Sequence, residues 1–521
     1  MFDLIIKNGK IFDGTGNDWF KFDIGILNDK IEFIGNLNKT DGESLIDAKG
    51  KIVSPGFIDI HSHSDLSAML YPTADSKVLQ GVTTEVVGNC GSSPAPVKKE
   101  NLELIKDYIG NEISDKLPWN WRTMDDFYQE VEKIGSSVNF VPLVGQGTLR
   151  VAVMGYENRE PTDNELKEMK SLLEQEMKSG YFGISTGLEY APGSYSKTEE
   201  IIELARVVSK YGGIYATHIR NEGSGVVDAI NEAITISKEA GIPLEISHLK
   251  VVGKENWDRD DKILKLIYNA RKNGIEVNAD VYPYTASHTT LTIMLPSWVL
   301  EGGVRNALSK LQDHQLKEKI RYEILRKGPD WERITIPSYN GKSIKELSVE
   351  WNIDPFETFV KLLLDNNGSV SIIGHSMREE SVEKFILSPL VSIGSDSSGR
   401  KPGEGPLGGL THPRAYGTFP RVISGYWREK NLISLSEAIR KMTGLSAAKL
   451  RLKERGLIKE GYYADLVIFD PEKISDLATF NDPIKFPAGI DYVIVNGVIV
   501  AERGKHTNKK PGRIIKKIKI K

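Results

Sequence analysis

The chain has 521 residues, 40% of them hydrophobic and 27% charged, with a net charge of −3. This balance excludes whole-chain disorder, and a near-neutral total offers no general field for nucleic acid. One cysteine, Cys90, excludes an intramolecular disulfide and fits a reducing, cytoplasmic setting; there is no secretory signal pattern and no apolar run near the ~18 residues of a membrane span.

Residues 1–55 read as short strands, Asp3 to Lys7, Phe22 to Leu27, Ile31 to Ile34 and Ser44 to Asp47. Asn8-Gly9, Asp13-Gly14 and Asp41-Gly42 supply turns between them. Residues 56–450 alternate differently. Apolar strand candidates recur at 57–60, 82–87, 139–144, 181–185, 214–217, 244–247, 276–281, 370–374 and 391–394. Helical patterns such as Thr198 to Tyr211 and Gly225 to Ala240 fill most gaps. Such alternation predicts a parallel sheet with crossover helices, and eight units over roughly 250 residues or more make a (β/α)₈ barrel. Nine candidates are one too many, and the pattern does not say whether 370–374 is the extra one. The stretch from about 288 to 345 breaks the rhythm and reads as an insertion. Residues 451–521 return to short strands, Ala464 to Asp470 and a hairpin from Tyr492 to Val500 around Asn496-Gly497. Neither end has apolar residues for its own core, so both are predicted to pair into one small β domain. The basic tail from Arg513 reads as a solvated end.

The strongest local chemical signal is Gly56-Phe57-Ile58-Asp59-Ile60-His61-Ser62-His63. Strand period 2 points both imidazoles the same way, which at the C-terminal end of a barrel strand is into the active-site mouth. The bland alternative is a pair of unrelated surface histidines. His218 ends the strand Ile214 to Thr217, and His248 ends Leu244 to Ser247. One strand-end histidine is usually structural; four favour a shared metal site, with zinc a common partner of imidazole. Cys90 follows Val86-Val87-Gly88-Asn89 at the same level of the fold. A lone cysteine is usually a small buried hydrophobe, but a thiolate there would bind zinc strongly. Asp396 follows Val391 to Ser395; it reads either as a loop cap or as a carboxylate facing the metal and able to move a proton.

These segments resemble the amidohydrolase superfamily, and within it the N-acyl-D-amino-acid deacylases. The resemblance rests on PGFIDIHSHSD, GVTTEVVGNCG, GISTGLEYAPGSYS, YATHIRNEG, LEISHLK, ADVYPYTA, GSDSSG and HPRAYGTFPRV, and runs from Asp3 to about Val500. It implies a metal-bearing (β/α)₈ barrel, a β-sandwich built from both termini and an insertion after strand seven. It implies cleavage of a small-molecule N-acyl-D-amino acid using one or two zinc ions, with no nucleic-acid or membrane partner; a homo-oligomer is compatible with it. His61 and His63 then form one metal pair. Cys90, His218 and His248 form the tighter site, with the thiolate able to bridge two metals. Asp396 is the catalytic acid/base as well as a ligand. Lys250 is expected to bind the substrate carboxylate, with Tyr190, Tyr282 and Ser287 nearby and Arg220 as its rival. Many relatives carry a bridging lysine on strand four; Tyr181 to Gly187 has none, which disfavours cyclic-amide hydrolysis. Gln146 stands where histidine is common in the family.

Two other readings compete. One is a D-residue dipeptidase or another amidohydrolase acting on a linear or cyclic amide. The other is a non-enzymatic assembly protein, which would have no use for all of these donors.

Overall fold

A computed structural model describes residues 1–517, apart from the side chains of residues 111 and 112. The architecture is α/β with parallel sheets. Strands β1 (Phe57–Asp59), β2 (Val82–Val87) and β3 (Asn139–Pro142) pair in that order, all parallel. A second parallel sheet runs β4 (Val144–Gly145), β5 (Gly183–Gly187), β6 (Ile214–His218), β7 (Leu244–Ile246), β8 (Val277–Val281) and β9 (Val391–Ile393). Residue 143 alone separates β3 from β4, so one stretch of chain serves both sheets. At the far edges, Asp396 N donates to His61 O at 2.8 Å and His63 N donates to Ser397 O at 3.1 Å. Every residue of β2 and β8 is buried, as parallel strands covered on both faces require.

Helices fill the crossovers. Thr198–Lys210 buries Ile201, Leu204, Ala205 and Val208, a stripe at helical spacing that faces the sheet. Val226–Ala240 follows in the next crossover. The fourth predicted strand is displaced: pairing with β6 begins at Gly183, and Tyr181 lies before the ladder with its hydroxyl donating to Asp125 Oδ1 at 2.7 Å. An apolar aromatic pair extended the strand pattern N-terminally, but packing assigns Tyr181 to the helix layer.

The segment at 370–374 does not join the parallel strands. Ser371–Gly374 pairs antiparallel with Ser287–Thr290 and Ile334–Ile336, over a separate core that includes Leu291, Phe359, Leu363 and Ile372. At the termini, Ile52–Pro55 pairs antiparallel with Leu466–Phe469. Leu4, Ile24, Ile46, Val53, Ile468 and Ile494 bury together there.

The tail is not a solvated end over its described part. Phe140 N donates to Arg513 O at 2.9 Å, Ile515 N to Phe140 O at 2.8 Å and Lys517 N to Gly180 O at 2.8 Å. Ile515 packs on Ile58, Val141, Phe182 and their neighbours. Ile514 and Ile515, ahead of the lysines, supply apolar contacts that local composition had hidden. No helix among the described residues is long and apolar enough to cross a membrane.

Candidate metal centre

The C-terminal ends of the parallel strands carry the chemistry. His61 and His63 follow β1, Cys90 follows β2, His218 ends β6, His248 follows β7 and Asp396 follows β9. Three of these leave their strands through left-handed backbone, with φ of +51° at Cys90, +36° at His248 and +50° at Asp396. Such conformations cost about 1–3 kcal/mol each and persist only where surroundings hold them. His248 is held by its N–H, which donates to Asp280 Oδ1 at 2.8 Å; Asp396 is held by its bond to His61 O.

Cys90 Sγ lies 3.3 Å from His61 Nε2, 3.4 Å from His248 Nε2 and 3.9 Å from His218 Nδ1. Asp396 Oδ1 lies 3.0 Å from His63 Nε2 and 3.5 Å from His61 Nε2. His61, Cys90, His248 and Asp396 each offer one ligand atom, all within 4.8 Å of one another. His218, Glu222 and His248 make a second such set, so His248 belongs to both. Zinc at about 2.3 Å from sulfur and 2.0 Å from nitrogen, with a tetrahedral angle, sets the two donors about 3.5 Å apart. The Cys90–His61 and Cys90–His248 separations match that spacing, so the donor set fits zinc.

The electrostatics are those of a charged cluster. Burial alone would raise the Cys90 thiol, but the charges of His61 and His248 and hydrogen bonding with His218 and His248 hold it well below the ordinary thiol range. Burial also works against charge on His63 and His218. Asp396 and Cys90 nevertheless push His63 up to about 9, and Glu222 and Cys90 push His218 up to about 10. Burial would raise the Asp396 carboxyl; the Arg414 charge and the histidines hold it well below the usual range.

Lys250 is buried, with its ammonium donating to Glu222 Oε1 at 2.6 Å and lying 2.7 Å from His248 Nδ1. Tyr190 packs edge-on against His218, and its hydroxyl lies 3.0 Å from Thr289 Oγ1. Tyr282 lies below both cations, 4.6 Å from the Arg414 guanidinium and 5.7 Å from the Lys250 ammonium, measured to its ring centroid. Its hydroxyl is buried without a hydrogen-bond partner among the described residues. Ser287 is half-buried at the start of the antiparallel sheet. Arg220 is not brought to the cluster. Its guanidinium is spent on Glu232, at 2.9 Å to each oxygen, and on the carbonyls of Ser194 and Ser196. The shared offset from a strand-end histidine did not carry it to the mouth, because Glu232 on the helix Val226–Ala240 captures it. Gln146 is buried apart from the donors, its amide donating to Ser196 Oγ at 2.8 Å and Glu200 Oε1 at 3.0 Å.

Sequence reasoning missed Glu222, Asp280 and Arg414. Asp280 bridges the two ends of the cluster, taking the His248 N–H while its other oxygen lies 3.4 Å from His61 Nδ1. Its signal was available: a carboxylate inside the apolar strand Val277–Val281 needs a buried partner. Glu222, four residues beyond His218, stood in a segment already singled out. Arg414, with Nη1 2.9 Å from Asp396 Oδ2, also stood in a quoted segment, HPRAYGTFPRV, but nothing local marked it as a partner of Asp396.

The model of the amidohydrolase family matches residues 44–320 and 391–501. The D-aminoacylase of Alcaligenes xylosoxydans xylosoxydans is 36% identical over 514 residues, covering 99% of this chain and 97% of that protein. A solved D-aminoacylase structure, described for its binuclear metal centre, superposes with a TM-score of 0.83 at 34% identity, over 99% of this chain and all of that one. The N-acyl-D-glutamate deacylase of Bordetella bronchiseptica, solved with zinc and a phosphonate mimic of the tetrahedral intermediate, also superposes at 0.83, with 30% identity and 99% coverage of each chain.

Proposed function

Because the chain belongs to the amidohydrolase family, we propose that it hydrolyses N-acyl-D-amino acids to a carboxylate and a free D-amino acid. The observation that carries this reading is the set of His61, Cys90, His248 and Asp396 donor atoms within 4.8 Å of one another, at strand ends of a chain similar over its whole length to D-aminoacylase. His61, His63, Cys90, His218, His248 and Asp396 would hold one or two zinc ions. Zinc, when bound, supplies a Lewis acid and an acidified water.

The remaining work falls to side chains. Asp396, kept as a carboxylate by Arg414 and the histidines, takes a proton from the attacking water. It returns that proton to the amide nitrogen as the carbon–nitrogen bond breaks, so the amine leaves neutral. Asp280 fixes the ring of His61 and the backbone of His248. Arg414, Lys250 and the Tyr282 hydroxyl hold the substrate's carboxylate, with Ser287 and Tyr190 as further contacts. Two cations around one aromatic ring, together with its unpartnered hydroxyl, support this assignment.

The same reading includes the architecture. The eight parallel segments, counting 139–145 as one, close into a (β/α)₈ barrel; the bonds between the ends of β1 and β9 support closure. Residues 1–55 and the described part of residues 451–521 form one β-sandwich, and the insertion interrupts the catalytic unit of residues 56–450. The single cysteine supports a cytoplasmic location.

Zinc-loaded protein is to be assayed on matched N-acetyl-D and N-acetyl-L amino acids with neutral and acidic side chains. D-selective release of the amino acid, abolished by chelation and restored by zinc, is expected. Absence of hydrolysis on every D-substrate, with zinc bound, defeats the reading.

A further inference from the structure

Behind the donor cluster lies a second charged group that the reaction does not touch. Lys77 is completely buried in the short helix Asp75–Val78. Its ammonium donates to Asp59 Oδ2 at 2.7 Å, Ser395 Oγ at 2.6 Å and Ser397 O at 2.7 Å. An ammonium has three donors, and all three are used. Asp59 is equally buried. Its Oδ1 accepts from Ser395 N at 2.8 Å, and its Oδ2 accepts from Ser395 Oγ at 2.5 Å.

The three close acceptors of Lys77 frame Asp396, while Ser62 Oγ and Glu85 Oε2 lie farther from the ammonium, each at 3.4 Å. Ser395 and Ser397 are the aspartate's chain neighbours, and Asp59 lies two residues before His61. Asp396 itself has a φ of +50°, which a side-chain-bearing residue adopts only under restraint. The restraints are visible on both sides: Ser395 is anchored through N–H and hydroxyl, and Ser397 through its carbonyl. Glu85 adds to the frame by accepting from the hydroxyls of Ser62 and Ser64, beside His63. Burying an ammonium is costly unless its charge and donors are matched, and a packed apolar side chain would fill the same space at no such cost. What an apolar side chain could not do is grip the two neighbours of Asp396 at once.

We propose that Lys77 is a positioning residue for Asp396: by tying Ser395 and Ser397 to Asp59, it holds the aspartate's left-handed turn so that the carboxylate meets the amide nitrogen. This rests on the reading of Asp396 as the acid that protonates the leaving amine. Lys77 makes no bond to a donor atom of the cluster, so its grip on Asp396 runs through Ser395 and Ser397.

The test compares two leaving groups, with zinc in excess. An N-acyl-D-amino acid must be protonated at nitrogen as it departs; its S-acyl thioester analogue releases a thiolate, of ordinary pKa about 8.5, that leaves without a proton. A displacement near 1 Å can cost about 100-fold in rate. Lys77→Met is therefore expected to lower kcat on the amide by about 100-fold, and on the thioester, where Asp396 still takes the water's proton but none is needed at the leaving group, by about 10-fold less, with KM little changed. A loss equal on both substrates, or no loss, overturns the proposal, because general damage does not discriminate between leaving groups. Should Lys77→Met fail to fold, Ser395→Ala removes one of the three anchors conservatively. It is expected to move the amide-to-thioester ratio in the same direction, and an unchanged ratio overturns the proposal. Asp396→Asn is run in parallel. If it keeps amide turnover, the underlying reading falls and this proposal with it; if it is inactive while Lys77→Met is unaffected, only the role of Lys77 falls.

Discussion

Lys250 and Glu222 form a buried ion pair at 2.6 Å directly beside His248, whose Nδ1 lies 2.7 Å from the ammonium and 3.1 Å from the carboxylate. The lysine is therefore already neutralised within the fold, rather than a bare cation at the mouth. Burial would raise the Glu222 carboxyl, but Lys250 and the two histidines hold it far below the usual range.

Removing Lys250 thus has two separable consequences. Breaking a buried pair costs about 3–5 kcal/mol, because the remaining charge is left unmatched. Lys250→Met is expected to lower the urea midpoint sharply, and adding Glu222→Gln should recover most of it. Recognition of the substrate's carboxylate should not recover: preference for the free acid over its methyl ester should fall in both variants. Its return in the double variant would assign Lys250 to Glu222 alone and leave Arg414 as the carboxylate's partner.

The thiolate of Cys90 is the only one the chain can offer. Protein reconstituted with cobalt should show a thiolate-to-metal charge-transfer absorption that Cys90→Ser lacks. Chelation should abolish hydrolysis, and zinc should restore it in the wild type more fully than in the variant, since sulfur is a strong ligand for zinc. An unaltered cobalt spectrum in Cys90→Ser would remove the cysteine from the metal set.

Far from the site, burial pushes the Glu176 carboxyl up to about 7, with Asp125 and Asp126 adding to the shift and only the Met124 N–H opposing it strongly. The folded protein then holds this proton more tightly than the unfolded chain, whose glutamate titrates near 4.3. The contribution is complete below that pH and is lost as pH rises towards 7. At about 1.4 kcal/mol per unit, the loss is on the order of 4 kcal/mol. Glu176→Gln should match wild type at pH 4 and be more stable at pH 8, as read from melting temperatures across that range. Parallel pH profiles for the two proteins would refute the shift.

Ending the chain after Lys510 should destabilise it. The bonds of residues 513–517 to Phe140 and Gly180 would go, as would the packing of Ile514 and Ile515. Two largely apolar contacts of this kind are worth about 2–4 kcal/mol, visible as a lower melting temperature. An unchanged melting temperature would make the tail the solvated end its composition suggests.

Local pattern alone carried the alternation of strands and helices, because apolar periods of 2 and 3.6 are properties of neighbouring residues. It also put His61, His63, Cys90, His218, His248 and Asp396 at strand ends, and the fold brings all of them together. The placement follows from topology: parallel strands share a direction, so their C-terminal ends meet on one side. What surrounds those residues was decided only in three dimensions. Lys77 sits in Thr-Ala-Asp-Ser-Lys and Arg414 in His-Pro-Arg, where no local pattern says which partner either cation takes. Both are buried because a carboxylate at the end of a strand, 18 residues earlier in each case, comes to meet them: Asp59 for Lys77 and Asp396 for Arg414. Arg220 shows the converse, a cation at the expected offset drawn off by Glu232 on a neighbouring helix. A charge in a sequence carries no label for its partner; burial and pairing are fixed by packing, and packing is a property of the whole chain.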